Sequence, residues 1–225
     1  FGGSDGGMNF GDANGKMIAP HGIAVLGLAY FKADGLPATL DQIPIEYFIT
    51  AIDYLQTLPQ IDASRIGVVS GSRGSEAALL LASFDKRIKS VVVTTPSSVS
   101  WGGITTSGAA WTLGGEAVPF LRLSLPTSTP QAKRFETSLA DLASVKPALI
   151  PIEQINGPIF LISAKNDQVW PSYQMSLSME SYLKEHNFKH SVTHSSYLTG
   201  HAFSQETAPE IRRAIVDQFV RTLNR

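Results

Sequence analysis

The amino-acid sequence predicts an α/β protein: a mostly parallel sheet with helices on both faces and one long insertion. Short runs rich in β-branched residues at 66–69, 88–94 and 158–163 alternate with longer segments whose apolar residues recur at helical spacing. Such alternation is typical of parallel sheets with right-handed crossovers. A loop-rich interval, 96–156, interrupts the alternation and is too long for a simple crossover.

Composition and charge indicate an ordinary globular domain and exclude several classes of function. With 225 residues, 43% of them hydrophobic, the chain is long enough for one large domain with its own core. A formal net charge of −1 predicts no nucleic-acid partner, and no apolar run approaches the roughly 18 residues of a membrane span. The absence of cysteine excludes disulfides, thiolate metal sites and a cysteine nucleophile. The oligomeric state and the compartment stay open, with the cytoplasm as the working expectation.

The first part of the chain predicts a loop, a strand and a helix. The sequence starts at Phe1 without an initiator methionine, so we expect a fragment or a processed product that a further N-terminal domain can precede. Residues 2–15 are rich in glycine and predict a loop whose N–H groups can face an anion. Residues 21–30 form a continuous apolar run that predicts a buried parallel strand. Apolar residues at helical spacing predict a helix from Ile45 to just before Pro59.

The second half of the chain continues the alternation of helices and strands. Helices are predicted at 172–186 and 209–223. Residues 191–198 alternate polar and apolar side chains, as a strand near a sheet edge does. We therefore expect residues 1–225 to form a single domain.

The insertion at 96–156 is predicted to act as a lid or a substrate-binding segment, with one helix at about 130–143. Its aromatic residues Trp101, Trp111 and Phe120 can line a pocket for a hydrophobic chain. A surface excursion without a functional role is the alternative interpretation.

Residues 66–82 place Ser72 at a sharp turn between a strand and a helix. The strand run ends in a Gly-Ser-Arg-Gly sequence, and a helix predicted to reach about Phe84 follows at once. This pattern is typical of a nucleophile elbow, in which small neighbours let strand and helix pack closely around a strained apex. Ser70 stands two residues before the apex, where glycine is more common. A plain strand–loop–helix crossover is the alternative.

An acidic residue and a histidine each follow a later predicted strand, as Ser72 follows the first. Asp167 comes after the strand at 158–163, and His201 after the strand at 191–198. Because the carboxyl ends of parallel strands meet at one edge of a sheet, these side chains are expected to lie together. A hydroxyl needs a base to remove its proton, and the base needs a carboxylate to orient it, so the three residues predict a catalytic triad. The alternatives are a turn-forming role for Asp167 and a surface-loop position for His201.

Acyl transfer through such a triad needs two N–H donors for the oxyanion of the tetrahedral intermediate. The backbone N–H of Arg73, directly after the serine at the helix N-terminus, is one candidate. The glycine-rich start of the chain offers the second candidate, at the N–H of Gly3 or Ser4. This chemistry requires no metal and no cofactor.

Four segments of the chain resemble one known family. Residues 2–7, 22–30, 45–48 and the turn region at 66–82 are similar to the C-terminal domain shared by acyl-CoA thioesterases and bile acid-CoA:amino acid N-acyltransferases. The resemblance implies an α/β-hydrolase fold in which a Ser–Asp–His triad cleaves the acyl-CoA thioester.

The residues of the family site match this chain position by position. Ser72, Asp167 and His201 take the three triad roles. The N-acyltransferase members typically carry cysteine as the nucleophile, so a serine favours hydrolysis over amidation. The chain departs from the family pattern in two ways: we expect it to lack the immunoglobulin-like N-terminal domain and the first strands of the sheet, and Ser70 and Ser75 stand where many members have glycine.

The sequence therefore predicts a serine hydrolase that cleaves acyl thioesters, with acyl-CoA as the expected small-molecule substrate. A carboxylesterase or a dienelactone-type hydrolase is the first alternative, since it shares much of the same pattern. A non-catalytic binding domain that retains the hydrolase fold is the second.

Overall fold

A computed structural model of the protein describes residues 1–105 and 108–224, with one sheet of four strands and one of three. The strands in chain order are β1 (Ile43–Pro44), β2 (Ile66–Gly71), β3 (Ile88–Thr94), β4 (Trp111–Leu113), β5 (Glu116–Ala117), β6 (Ile159–Ala164) and β7 (Val192–Tyr197). The helices are α1 (Asn9–Ile18), α2 (Ile45–Thr57), α3 (Arg73–Phe84), α4 (Gln131–Leu139), α5 (Leu142–Ala148), α6 (Ser172–Glu185) and α7 (Ala208–Leu223). Short 3₁₀ turns lie at Ala19–His21 and Ile152–Gln154.

The main sheet is parallel throughout, with the strand order β2-β3-β6-β7. Successive side chains of a strand point to opposite faces, so β3 contributes to two cores. Val91 and Val93 pack in the core that contains Leu79 of α3, whereas Val92 packs in the core that contains Phe219 of α7. The sheet thus lies between two layers of helices, which is the predicted architecture.

Most of the predicted elements around the main sheet are confirmed. The strands β2, β3, β6 and β7 match the predicted positions, and β7 lies at an edge of the sheet. The helix α2 begins at Ile45 and ends shortly before Pro59, and α3 ends at Phe84. Among the helices that the structure describes, none is both long enough and apolar enough to cross a membrane.

The predicted loop at 2–15 is wrong in its second half, where α1 forms. Glycine is a poor helix former, so local propensity does not account for this helix. The backbones of Gly11 and Gly27 are so close that a Cβ built on Gly11 would lie 2.8 Å from the Gly27 Cα. These glycines let α1 pack directly on the segment that follows it, and this contact is invisible in the local sequence.

The predicted strand at 21–30 is also wrong. Within the described part of the chain, these residues pair with no strand. A strand needs a neighbour for its ladder hydrogen bonds, and an apolar run alone does not supply one. A cavity of about 250 Å³ is lined both by this segment, at Ile23 and Val25, and by β2, at Val68. The segment therefore faces β2 across a cavity instead of pairing with it.

The predicted insertion packs around buried aromatic rings. Trp101 contacts Phe135 edge-to-face, with 4.6 Å between ring centroids, and Phe135 contacts Trp170 at 5.5 Å. These rings join the segment after β3 and the helix α4 to the loop that follows β6.

The single helix predicted at about 130–143 is instead two helices, α4 and α5. The helical segment is interrupted at Asp141, because the Asp141 carboxylate accepts the N–H of Ser144 and caps a new helix. Residues 106 and 107 of the predicted insertion lie outside the described residues. The role of the insertion as a lid stays a prediction.

Candidate active site

Ser72 lies at the apex of a strained turn between β2 and α3. Its backbone has φ 52° and ψ −132°, a conformation that residues other than glycine rarely adopt. The turn is held because the Ser72 N–H donates to the carbonyl of Thr94 on β3, at 3.0 Å. Ser72 is half-buried and directly precedes the first turn of α3.

Glycine is required on both sides of Ser72 because the neighbouring groups are so close. A Cβ on Gly71 would lie 2.3 Å from the Thr94 Oγ1. A Cβ on Gly74 would lie 2.1 Å from the carbonyl oxygen of Gly2. Neither position can hold a larger residue unless its neighbours move.

Ser70 and Ser75, the departures from the family pattern, tie the turn to two other segments. Ser70 Oγ donates to the carbonyl of Phe1 at 2.7 Å. Ser75 Oγ donates to the carbonyl of Ser72 at 2.6 Å and accepts the N–H of Ser97 at 3.2 Å. The two hydroxyls thereby connect the turn to the glycine-rich start of the chain and to the segment that follows β3.

Ser72, His201 and Asp167 form one line of hydrogen bonds. His201 Nε2 lies 2.8 Å from Ser72 Oγ, and His201 Nδ1 lies 2.9 Å from both carboxylate oxygens of Asp167. Because an ionised carboxylate can only accept, Nδ1 carries a proton and Nε2 is left to accept the hydroxyl proton. The three residues follow β2, β7 and β6, so the ends of these strands bring them together.

The Asp167 side chain is 2% exposed and well supplied with donors. Its Oδ1 accepts the N–H groups of Val169 and Trp170, and its Oδ2 accepts the hydroxyl of Ser172 at 2.6 Å. Burial opposes ionisation, but hydrogen bonds from His201, Ser172 and the Val169 N–H outweigh it and lower the pKa of Asp167 below its usual value. Asp167 therefore forms a local turn and also faces the histidine.

The start of the chain lies beside the serine. A Cβ on Gly3 would lie 3.0 Å from the Ser72 Cβ and 3.4 Å from the Arg73 backbone nitrogen. The Tyr30 hydroxyl holds this stretch by donating to the carbonyls of Gly2 and Gly3, at 2.8 and 3.3 Å. The structure thus brings the backbones of Gly3 and Arg73 together at Ser72.

Ser4, the residue after Gly3, is the other backbone donor predicted in this loop. Its carbonyl accepts the Lys32 ammonium at 3.3 Å, and the residue is partly exposed. Which of the two N–H groups faces an oxyanion stays a prediction.

The aromatic residues predicted to bind substrate have different surroundings. Trp101 and Trp111 are fully buried, so neither presents an open face. Phe120 is partly exposed, and its ring lies 4.7 Å from the guanidinium carbon of Arg122. Burial of the two tryptophans favours a supporting role over direct contact with substrate, and substrate binding at Phe120 stays a prediction.

Sequence reasoning does not identify two residues that support the site. The Trp170 ring lies 5.8 Å from the His201 ring, edge-to-face, and its Nε1 donates to the Thr95 carbonyl at 3.1 Å. Ser172 donates to Asp167 from the first turn of α6. A serine at a helix start is a recognisable hydrogen-bonding residue. The position of a tryptophan ring relative to a distant histidine leaves no such local pattern.

Three features together indicate an α/β-hydrolase fold. They are the parallel sheet, the strained serine between β2 and α3, and the line of hydrogen bonds from Ser72 through His201 to Asp167 at the strand ends. The structure resembles uncomplexed acylaminoacyl peptidase from Pyrococcus horikoshii, with a TM-score of 0.55 and 16% identity over 80% of this chain and 28% of that one. The chain belongs to the family described as BAAT / Acyl-CoA thioester hydrolase C terminal, whose model matches residues 43–222. The predicted fold and the predicted family are both confirmed.

Two curated relatives from Mus musculus illustrate the range of the family. The chain is 29% identical over 180 residues to acyl-coenzyme A thioesterase 3. The aligned region covers 76% of this chain and 39% of the relative. The chain is also 30% identical over 167 residues to acyl-coenzyme A amino acid N-acyltransferase 1. That aligned region covers 70% of this chain and 36% of the relative. The chain thus spans less than half the length of these relatives.

Proposed function

We propose that this chain hydrolyses acyl thioesters, with acyl-CoA as the substrate class, by way of an acyl-enzyme on Ser72. The observation that carries the proposal is the relay from Ser72 through His201 to Asp167, at 2.8 and 2.9 Å, on a strained serine. Family membership, with a curated thioesterase among the relatives, supports a thioester as the scissile bond.

Acylation begins when Ser72 Oγ attacks the thioester carbonyl carbon and His201 Nε2 takes the hydroxyl proton. Asp167 accepts the Nδ1–H and stabilises the imidazolium. The carbonyl oxygen becomes an oxyanion, which the N–H groups of Arg73 and of Gly3 or Ser4 stabilise. When this intermediate collapses, the C–S bond breaks and the sulfur leaves with the proton from His201.

Deacylation repeats these steps with water. His201 removes a proton from water, and the hydroxide oxygen attacks the acyl carbon. Collapse of the second intermediate returns the proton to Ser72 Oγ and releases a carboxylic acid. The net reaction consumes one water and gives one acid and one thiol.

The test is turnover of acyl-CoA thioesters of graded chain length beside matched p-nitrophenyl esters, with Ser72→Ala as the control. Released thiol is followed with a chromogenic disulfide, and intact-mass spectrometry detects the acyl adduct. We expect thioester turnover and an adduct in the original chain, with both lost in Ser72→Ala.

Other results would assign the chain elsewhere. Ester turnover without thioester turnover would indicate a carboxylesterase or a dienelactone-type hydrolase. A folded chain that shows neither turnover nor labelling by a fluorophosphonate would be a binding domain. With a free amino acid present, formation of amide instead of acid would indicate N-acyl transfer.

A further inference from the structure

Glu76 is a buried carboxylate four residues after Ser72, and it has no role in the proposed acylation and deacylation steps. Its side chain is 0% exposed. Its Oε2 accepts the backbone N–H of Trp101 and the indole N–H of Trp111, both at 2.9 Å. Its Oε1 lies 2.7 Å from the Arg73 Nε. The carboxylate therefore joins the first turn of α3 to two separate parts of the predicted insertion.

Arg73 completes this cluster on the same turn of helix. Its Nη2 donates to the carbonyl of Gly102 at 2.9 Å and to that of Trp101 at 3.3 Å. The Nε–H does not point along the line to Glu76 Oε1, so the two side chains form a close ion pair and not an aligned hydrogen bond. Both side chains are almost fully buried. The attraction between two charges is stronger in the protein interior than at the surface.

Stability alone is a weak explanation for such a pair. Burial raises the pKa of Glu76, and the opposing effects of Arg73 and of the N–H donors of Trp101 and Trp111 do not cancel it. Well-packed apolar residues of similar volume are often as stable as a buried ion pair. The location of the pair is more informative, because Arg73 is the residue directly after the nucleophile.

We infer that Glu76 is a positioning residue that fixes the first turn of α3, and with it the backbone N–H of Arg73. The inference rests on the proposed function and assigns Glu76 to the same site. Glu76 acts through the Arg73 side chain, while the Arg73 backbone N–H contacts the oxyanion. A donor aimed at a developing charge loses much of its effect when it is displaced by a fraction of an ångström.

The test compares Glu76→Gln with the original chain by thioester turnover per folded molecule, with the folded fraction taken from urea unfolding. The substitution keeps the shape and removes the charge, which frees Arg73 to shift. We expect kcat to fall by roughly 10- to 100-fold and KM to stay within about threefold, because the lost alignment matters in the transition state. The inhibition constant of a trifluoromethyl ketone, whose adduct with serine carries an oxyanion, should rise by a factor similar to the fall in kcat.

Asp85→Asn is the matched control. Asp85 is a buried carboxylate beyond the opposite end of α3, and it pairs with Arg87. Its substitution should reduce stability without changing kcat or the inhibition constant. Where Glu76→Gln does not fold, the double variant Arg73→Met/Glu76→Gln removes the unpaired cation and should show the same loss of kcat.

The outcomes separate the inference from the proposed function. Unchanged kcat and inhibition constant in folded Glu76→Gln, with an active original chain, overturn the inference and leave the proposed function standing. An equal loss of kcat in Asp85→Asn also overturns it, because the effect would then follow stability. Absence of thioester turnover in the original chain overturns both.

Discussion

A second serine, histidine and carboxylate lie in a hydrogen-bonded line elsewhere among the described residues. The elbow set is Ser72, His201 and Asp167, and the strand set is Ser163, His194 and Glu180. In the strand set, His194 Nε2 lies 2.7 Å from Ser163 Oγ, and His194 Nδ1 lies 2.7 Å from Glu180 Oε2. These distances are as short as those of the elbow set, so hydrogen-bond lengths alone do not identify an active site.

The backbone around each serine separates the two sets. Ser72 lies between the end of β2 and the start of α3, so the first N–H groups of the helix have no partner within it. Ser163 lies within β6, is 0% exposed, and sits in a strand whose backbone pairs with β3 and β7. Ser72 is partly exposed and lies beside candidate donors, whereas Ser163 is buried within a paired strand. Partial exposure and nearby N–H donors, which distinguish Ser72 from Ser163, therefore predict that the elbow set reacts and the strand set does not.

The largest expected effect comes from removing each serine in turn. Ser72→Ala should lower kcat for a thioester by about 10⁵-fold or more, because the nucleophile is lost. Ser163→Ala should leave kcat within about threefold and lower the free energy of unfolding by about 1–3 kcal/mol, since His194 loses a buried partner. Steady-state kinetics and urea unfolding measure the two effects. A large loss of kcat per folded molecule in Ser163→Ala would contradict the comparison.

The carboxylates give the next largest contrast. Asp167→Asn should lower kcat by about 10⁴-fold, because an amide can donate to Nδ1 and then stabilises the wrong histidine tautomer. Glu180→Gln removes a 38% exposed partner of the other histidine and should leave kcat within about threefold. The kcat of both folded variants provides the measurement. Similar values of kcat in the two variants would show that Asp167 does not orient a catalytic base.

The sequence distinguishes the two sets for a reason that the structure supports. His201 follows a predicted strand, whereas His194 falls inside one, and only the ends of parallel strands meet at a common site. The strand–turn–helix pattern at Ser72 is equally local, since its strand, glycines and helix are adjacent in the chain. Elements and residues of this kind can be predicted from one sequence.

Features that depend on distant contacts could not be predicted in this way. The helix α1 depends on the approach of Gly11 to Gly27, and the segment 21–30 has the composition of a strand without a paired neighbour. A glutamate on a helix is usually an exposed residue, so the sequence gives no sign that Glu76 is buried. An aromatic residue such as Trp111 has the same local pattern in a core as in a substrate pocket.

A smaller effect should follow from disturbing the loop beside the serine. A Cβ on Gly3 would lie 2.9 Å from the carbonyl oxygen of Gly71, so Gly3→Ala displaces this loop. We expect kcat to fall by about 10²-fold with little change in KM, as for the loss of one oxyanion donor.

Gly15→Ala is the matched control for this glycine. Gly15 lies in α1, and a Cβ there meets nothing within 4 Å. The variant should keep its kcat and gain about 0.5–1 kcal/mol in free energy of unfolding, because alanine is the better helix former. Equal kcat values in the two glycine variants would show that the loop at Gly3 does not contribute to stabilising the oxyanion.

The smallest expected effect is on the pH dependence of stability. The pKa of Asp167 is lowered in the folded state, so its ionised form stabilises the fold above the unfolded pKa of about 3.9. This contribution is lost as the pH falls through the lower, folded pKa. The difference in unfolding free energy between the original chain and Asp167→Asn should therefore shrink as the pH is reduced from about 6 towards 2.5. Urea unfolding across that range measures it, and Ser72→Ala, which retains the contacts of Asp167, should follow the original chain. A difference that stays constant would show that the hydrogen bonds around Asp167 do not favour its ionised form.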